Sequence, residues 1–199
     1  LALSLHATAG RIPDVPLTAD ASHQSTQNTF NSKALWTVAG VQLLGFSTAI
    51  AYLHQAWYKD YPRSSFHFYN DMADWLQMDK MGHMVPAYQI NLLSAEAYKL
   101  SGLDGRRSAC LGALSSISFL TAIEIMDGFS AQWGFSPGDM VANLMGSAAY
   151  FGQEYAWEEQ RVHMKWSHSS SGLAKYRPDL LGSNRAESIL KDYNGDTYW

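Results

Sequence analysis

Charge is missing from four long stretches of this chain. Residues 34–58, 81–95, 108–123 and 140–153 contain no Asp, Glu, Lys or Arg. Ala, Leu, Met and Gly dominate these stretches, with no alternation of β-branched residues, so each reads as a helix. The pattern predicts four helices, at about 33–58, 74–100, 106–127 and 138–165. Ser101-Gly102 closes the second, Gly128 follows the third, and Ser136-Pro137-Gly138 precedes the fourth. Pro86 falls inside the second and should kink it or end its first turn. Short connections make neighbouring helices antiparallel, so the expected fold is all-α: a compact four-helix bundle over 33–166.

The flanks read differently. Residues 1–32 form an N-terminal arm, rich in Ser, Thr, Asp, Gln and Pro after position 10. Its opening reads as the end of a signal peptide, with Ala7-Thr8-Ala9 as the cleavage pattern and Gly10 as the first mature residue. Residues 167–199 form an extended, loop-rich tail. There, Asn194-Gly195 signals a tight hairpin turn between Tyr193 and Thr197-Tyr198-Trp199. A hairpin ending at Trp199 looks cut short, which suggests continuation or pairing elsewhere.

Composition narrows the function. A net charge of −4 argues against nucleic acid as a partner. Cys110 is alone among the 199 residues, which excludes an internal disulfide and a zinc–cysteine site and suits a small core residue. Charged residues are only 16%, below the usual share of ~25%. The uncharged run 34–53 is long enough to cross a bilayer, but Thr37, Gln42, Ser47 and Thr48 favour a buried bundle helix there. Small residues such as Gly40, Gly45, Gly112 and Gly146 suit close helix packing in water or in lipid.

The remaining polar residues are spaced for one face of a helix. Asp79 and His83 are four apart, as are Asp139 and Asn143, and Glu124 and Asp127 are three apart. Antiparallel helices bring the start of helix two, the end of helix three and the start of helix four to one pole. Asp79, Lys80, His83, Glu124, Asp127, Asp139 and Asn143 are therefore expected as a single cluster. Its first reading is a structural hydrogen-bonded network, since a buried carboxylate needs a partner. Its second is an acid/base site or a metal site, in which His83, Glu124, Asp127 and Asp139 would be the ligands. No nucleophile elbow, zincin motif, P-loop or dinucleotide fingerprint is present, so neither an enzyme nor a cofactor is the first expectation. Trp133 and Phe135, in an aromatic loop beside the cluster, and Tyr193, Tyr198 and Trp199 in the tail are candidates for partner contact. Glu154, Glu158, Glu159, Arg161 and Lys165 read as the exposed end of the fourth helix.

Asp79-Lys80-x-Gly82-His83 with Tyr88, Glu124-x-x-Asp127-Gly128, Trp133-Gly134-Phe135-Ser136 and Asp139-x-x-x-Asn143-x-x-Gly146 together resemble an uncharacterised family of bacterial envelope proteins, the YfiM-like lipoproteins. The tail motifs Tyr176-Arg177-Pro178 and Leu180 to Asn184 are similar to longer members, so the likeness covers about 75–199. A looser likeness exists to VanZ-like membrane proteins, in which a Gln usually stands at the position of Asp127. The resemblance implies an envelope location and a helical core, and supplies no activity. The leading expectation is a non-enzymatic periplasmic protein associated with the outer membrane. It would be an accessory, plug or scaffold subunit of a larger membrane complex, such as a secretion translocon. The alternatives are the metal or acid/base site and an integral inner-membrane bundle of VanZ-like type.

Overall fold

A computed structural model of the protein describes residues 29–59, 61–73, 77–169, 172–184 and 197–198. The four expected helices are present: α1 (Ser32–Leu53), α2 (Met78–Lys99), α3 (Gly105–Gly128) and α4 (Pro137–Trp157). The all-α architecture thus stands. A π-helical turn, His54–Tyr58, extends α1.

Local chemistry sets the boundaries. The Asn31 side chain accepts from the Lys33 and Ala34 amides, and Asp104 accepts from Arg107 N. Ser136 accepts from Asp139 N, with Pro137 in the first turn of α4. Gln77, at φ 67°, turns the chain left-handed just before α2. Pro86 lies inside α2, which continues to Lys99.

Helix α4 stops earlier than the expected 165. Glu158 takes a left-handed φ of 57°, and the chain folds back over the helix end. Gln153 holds that return, its Oε1 accepting from Arg161 N at 3.0 Å and Val162 N at 2.7 Å. Of the charges assigned to an exposed helix end, Glu154 is instead buried and lies 3.3 Å from Lys99 Nζ.

The packed unit is α2, α3 and α4, each against the other two. Here the structure corrects the expectation for 34–53: α1 contributes no buried residue to the core. It runs along α3 in the same direction, touching it through Gln42 and Ser115 (3.1 Å) and through Phe46 and Phe119, whose ring centroids are 4.7 Å apart. Cys110 also departs from its expected place and lies exposed on α3.

The interior is small and polar. Apart from Tyr88, Tyr98, Tyr150, Val85 and Leu120, its apolar members are alanines. Asn91 Nδ2 donates to Ser147 O at 2.9 Å, and Ser116 Oγ donates to Ala87 O at 2.8 Å. Such side chains tie backbones that approach closely. At Gly146 the approach is closest: a Cβ there would run into the Met84 carbonyl and the Ala87 side chain.

The tail also pairs within the chain. His168–Ser169 (β1) and Thr197–Tyr198 (β2) form a short antiparallel ladder, with His168 opposite Tyr198. The N-terminal arm through residue 28, the Asn194-Gly195 turn with Tyr193, and Trp199 lie outside the described residues.

Gly146→Ala is expected to lower stability by about 1–3 kcal/mol, because the added methyl must separate α2 from α4. Thermal or denaturant melts check this. Gly152, with nothing within 4 Å of a Cβ, is the control, and Gly152→Ala should melt at or above the wild-type midpoint.

Candidate functional site: the polar pole

The end of α3 and the starts of α2 and α4 meet at one pole, as the short connections require. Lys80 occupies its centre. Its ammonium lies 2.6 Å from Asp71 Oδ1, 2.8 Å from Asp79 Oδ2 and 2.7 Å from Asp139 Oδ1. Its side chain is 11% exposed and Asp139's is 6%. Three carboxylates from three segments therefore fill the three donor positions of one ammonium.

His83 stands one helical turn after Asp79 and faces the same group of acids. Its Nδ1 makes a hydrogen bond with Asn143 Oδ1 at 3.3 Å. Glu124 Oε1 lies 3.4 Å from that nitrogen but is buried without a hydrogen-bond partner. Asn143 Nδ2 is a second buried atom left without one. On the other side of the ring, Nε2 is 3.9 Å from Asp79 Oδ1 and 3.8 Å from Asp139 Oδ2.

Ser136 ties the pole to the loop before α4. Its amide donates to Glu124 Oε2 at 3.2 Å, and its hydroxyl donates to Asp71 Oδ1 at 2.8 Å while accepting from Asp139 N at 3.1 Å. Burial pushes the Asp71 carboxyl up, but hydrogen bonds involving Lys80, Asp139 and Ser136 outweigh it and hold the group below its ordinary range.

Six of the seven expected residues meet here: Asp79, Lys80, His83, Glu124, Asp139 and Asn143. Asp127 stands one turn after Glu124 and points to another group, accepting from the Tyr58 hydroxyl at 2.6 Å. Trp133 packs edge-on against Tyr58 and Tyr61, with centroids 5.4 and 4.9 Å away. Phe135 packs on Phe66 and Phe68. The loop over the pole is held by backbone bonds, His67 N to Gly128 O, Phe135 N to His67 O and Tyr69 N to Phe135 O, each 3.0 Å.

Asp71 and Ser136 were not among the expected site residues. Ser136 is legible in sequence only as a helix cap. Asp71 sits in a connection with no periodicity, and its one signal is indirect: a buried lysine needs more anions than its own helix supplies.

Lys80→Met is expected to destabilise the fold by about 3–5 kcal/mol, since it leaves three clustered carboxylates without their cation. Asp71→Asn should cost about 1–3 kcal/mol near neutral pH. A carboxyl held below its unfolded value contributes stability above that value and loses it as pH falls through the folded one. The gap between wild type and Asp71→Asn should therefore close below about pH 4, which melting curves between pH 3 and 7 would show.

No curated protein and no solved structure matches the chain. The likeness to VanZ-like proteins is not shown by these comparisons. The stretch that carries the motifs of the pole, residues 67–153, matches the family model described as "Predicted periplasmic lipoprotein (DUF2279)", the uncharacterised envelope family that those motifs resemble.

Proposed function

We propose that this protein works inside a membrane of the cell envelope, as a non-enzymatic helical bundle that holds its polar pole at the lipid–water boundary. One observation carries the reading: the packing is inverted. Ser94, Ser108, Ser116, Ser147, Asn91 and Asn143 are buried, while Val41, Leu43, Leu44, Leu93, Leu114, Val141, Leu144 and Met145 are exposed. In water each of those large side chains forgoes about 1.5–3 kcal/mol of burial. In lipid the same pattern is the stable one, because close packing and interhelical hydrogen bonds hold helices together there.

Dimensions agree. The four helices have 21 to 24 residues, about 32–36 Å, against a hydrocarbon layer of about 30 Å; two of them, α1 and α3, are also apolar enough to cross it, whereas α2, with Gln89, Asn91, Glu96 and Lys99, would need its polar residues covered by its neighbours. Their uncharged stretches lie side by side, and charges collect at the two poles. Exposed aromatics mark both ends: Trp36, Tyr155 and Trp157 at one, Tyr52, Tyr61 and Phe129 at the other. Such residues favour the interface. The Thr37 and Thr48 hydroxyls donate to the carbonyls of Lys33 and Leu44 within α1, which satisfies them without water.

A subunit docked in a larger outer-membrane assembly, a secretion translocon among the candidates, is the second reading. The same apolar surface favours it, covered by protein rather than by lipid. Alkaline carbonate extraction of membranes, followed by native electrophoresis in mild detergent, separates the two. An embedded bundle stays in the pellet and then runs at the size of the bundle plus detergent. Release by carbonate would exclude the first reading. Retention together with a discrete larger species that keeps a second protein would support the second. Val141→Glu and Leu144→Glu, on the outward face of α4, should reduce recovery in the pellet several-fold, whereas Glu158→Gln should not.

A further inference from the structure

We infer that Asp79, His83 and Asp139 form a binding site for one divalent transition-metal ion, with Lys80 and Asn143 as the groups that orient its ligands. The inference does not depend on whether lipid or protein covers the bundle.

The division of labour among the oxygens carries it. Lys80 engages Asp79 through Oδ2 and Asp139 through Oδ1. The remaining oxygens, Asp79 Oδ1 and Asp139 Oδ2, both face His83 Nε2, at 3.9 and 3.8 Å. Ligand atoms of the three residues lie within 4.8 Å of one another. A point equidistant from atoms so spaced is about 2.1–2.5 Å from each, near the Zn–N and Zn–O lengths of about 2.0–2.2 Å.

The imidazole is set in the matching state. With Asn143 Oδ1 as acceptor, the ring proton belongs on Nδ1 and the lone pair on Nε2 faces Asp79 Oδ1 and Asp139 Oδ2. A hydrogen bond behind a histidine ligand is what metal sites use to fix ring orientation.

Two further observations point to a ligand rather than to a self-contained acidic cluster. Beside the same imidazole, the buried Oε1 of Glu124, 3.4 Å from His83 Nδ1, and Nδ2 of Asn143 are left without a hydrogen-bond partner among the described residues. Three carboxyls also share the single ammonium of Lys80, in a place largely removed from water, so there is room for further positive charge. One nitrogen and two carboxylate oxygens suit Zn²⁺, Mn²⁺ or Fe²⁺ better than an all-oxygen ion such as Ca²⁺. Asp127, bound to Tyr58, falls outside the ligand set, and Asp79 replaces it.

Equilibrium dialysis of the purified full chain against Zn²⁺, with metal counted by elemental analysis, tests the site. The expected result is one Zn²⁺ per chain. His83→Gln and Asp139→Asn should abolish it, and Asn143→Ala should weaken it about 10–100-fold as the positioning change. Asp127→Asn should leave it intact. Asp79→Asn keeps an oxygen for Lys80 and serves if the other variants fail to fold. Co²⁺ gives a second readout, a visible d–d band present in wild type and absent from Asp79→Asn. Failure to retain Zn²⁺ would overturn the inference, with protons balancing the acids instead. Binding unchanged in folded His83→Gln and Asp79→Asn would also overturn it, by placing the ion elsewhere.

Discussion

The ammonium of Lys80 is the interaction on which the rest of the pole is hung. A lone lysine in so enclosed a place would be costly, and so would any one of its three aspartates. Together they fix three pieces of chain relative to one another: the connection at Asp71, the first turn of α2 at Asp79 and the first turn of α4 at Asp139. Ser136 then links the same acids to the end of α3 through Glu124. The bundle is thus closed at this end by electrostatics, in a protein whose interior offers little large apolar surface to do so.

Helix positions were legible because charge, not hydrophobicity, punctuates this chain. The four uncharged stretches lie within or along the four helices, and Asn31, Asp104 and Ser136 cap three of those helices where they begin. The meeting of Asp79, His83, Glu124 and Asp139 followed from helix length and antiparallel order alone. What could not be read was which face of each helix turns inward. A rule that buries apolar residues placed 34–53 and Cys110 in the core, and both lie outside. Asp71 escaped for a different reason, since its partnership with Lys80 is tertiary and leaves no periodic trace.

The fourth helix was read too long for a reason that is local. Glu154 to Lys165 is charged and helix-compatible, and nothing in its propensities stops a helix. Gln153 stops it by accepting two backbone amides from the returning chain, and Tyr88 secures that return by donating to Val162 O at 3.1 Å. Competition from a buried side chain overrode propensity.

The contact at Gly146 bears on how the pole can move. The Met84 carbonyl, against which Gly146 is pressed, follows His83 directly in sequence, and Asn143 is one turn before Gly146 on the opposing helix. Helices α2 and α4 are therefore keyed together right beside the imidazole, and a slide of even a fraction of an ångström between them meets backbone. Helix α3 has no such key at this end: Glu124 reaches across through one amide and one imidazole. The comparable backbone contact of α3 with α2 lies farther from the pole, where Gly112 is pressed on the Asn91 carbonyl, so the end of α3 at Glu124 is the part of the pole least held by backbone.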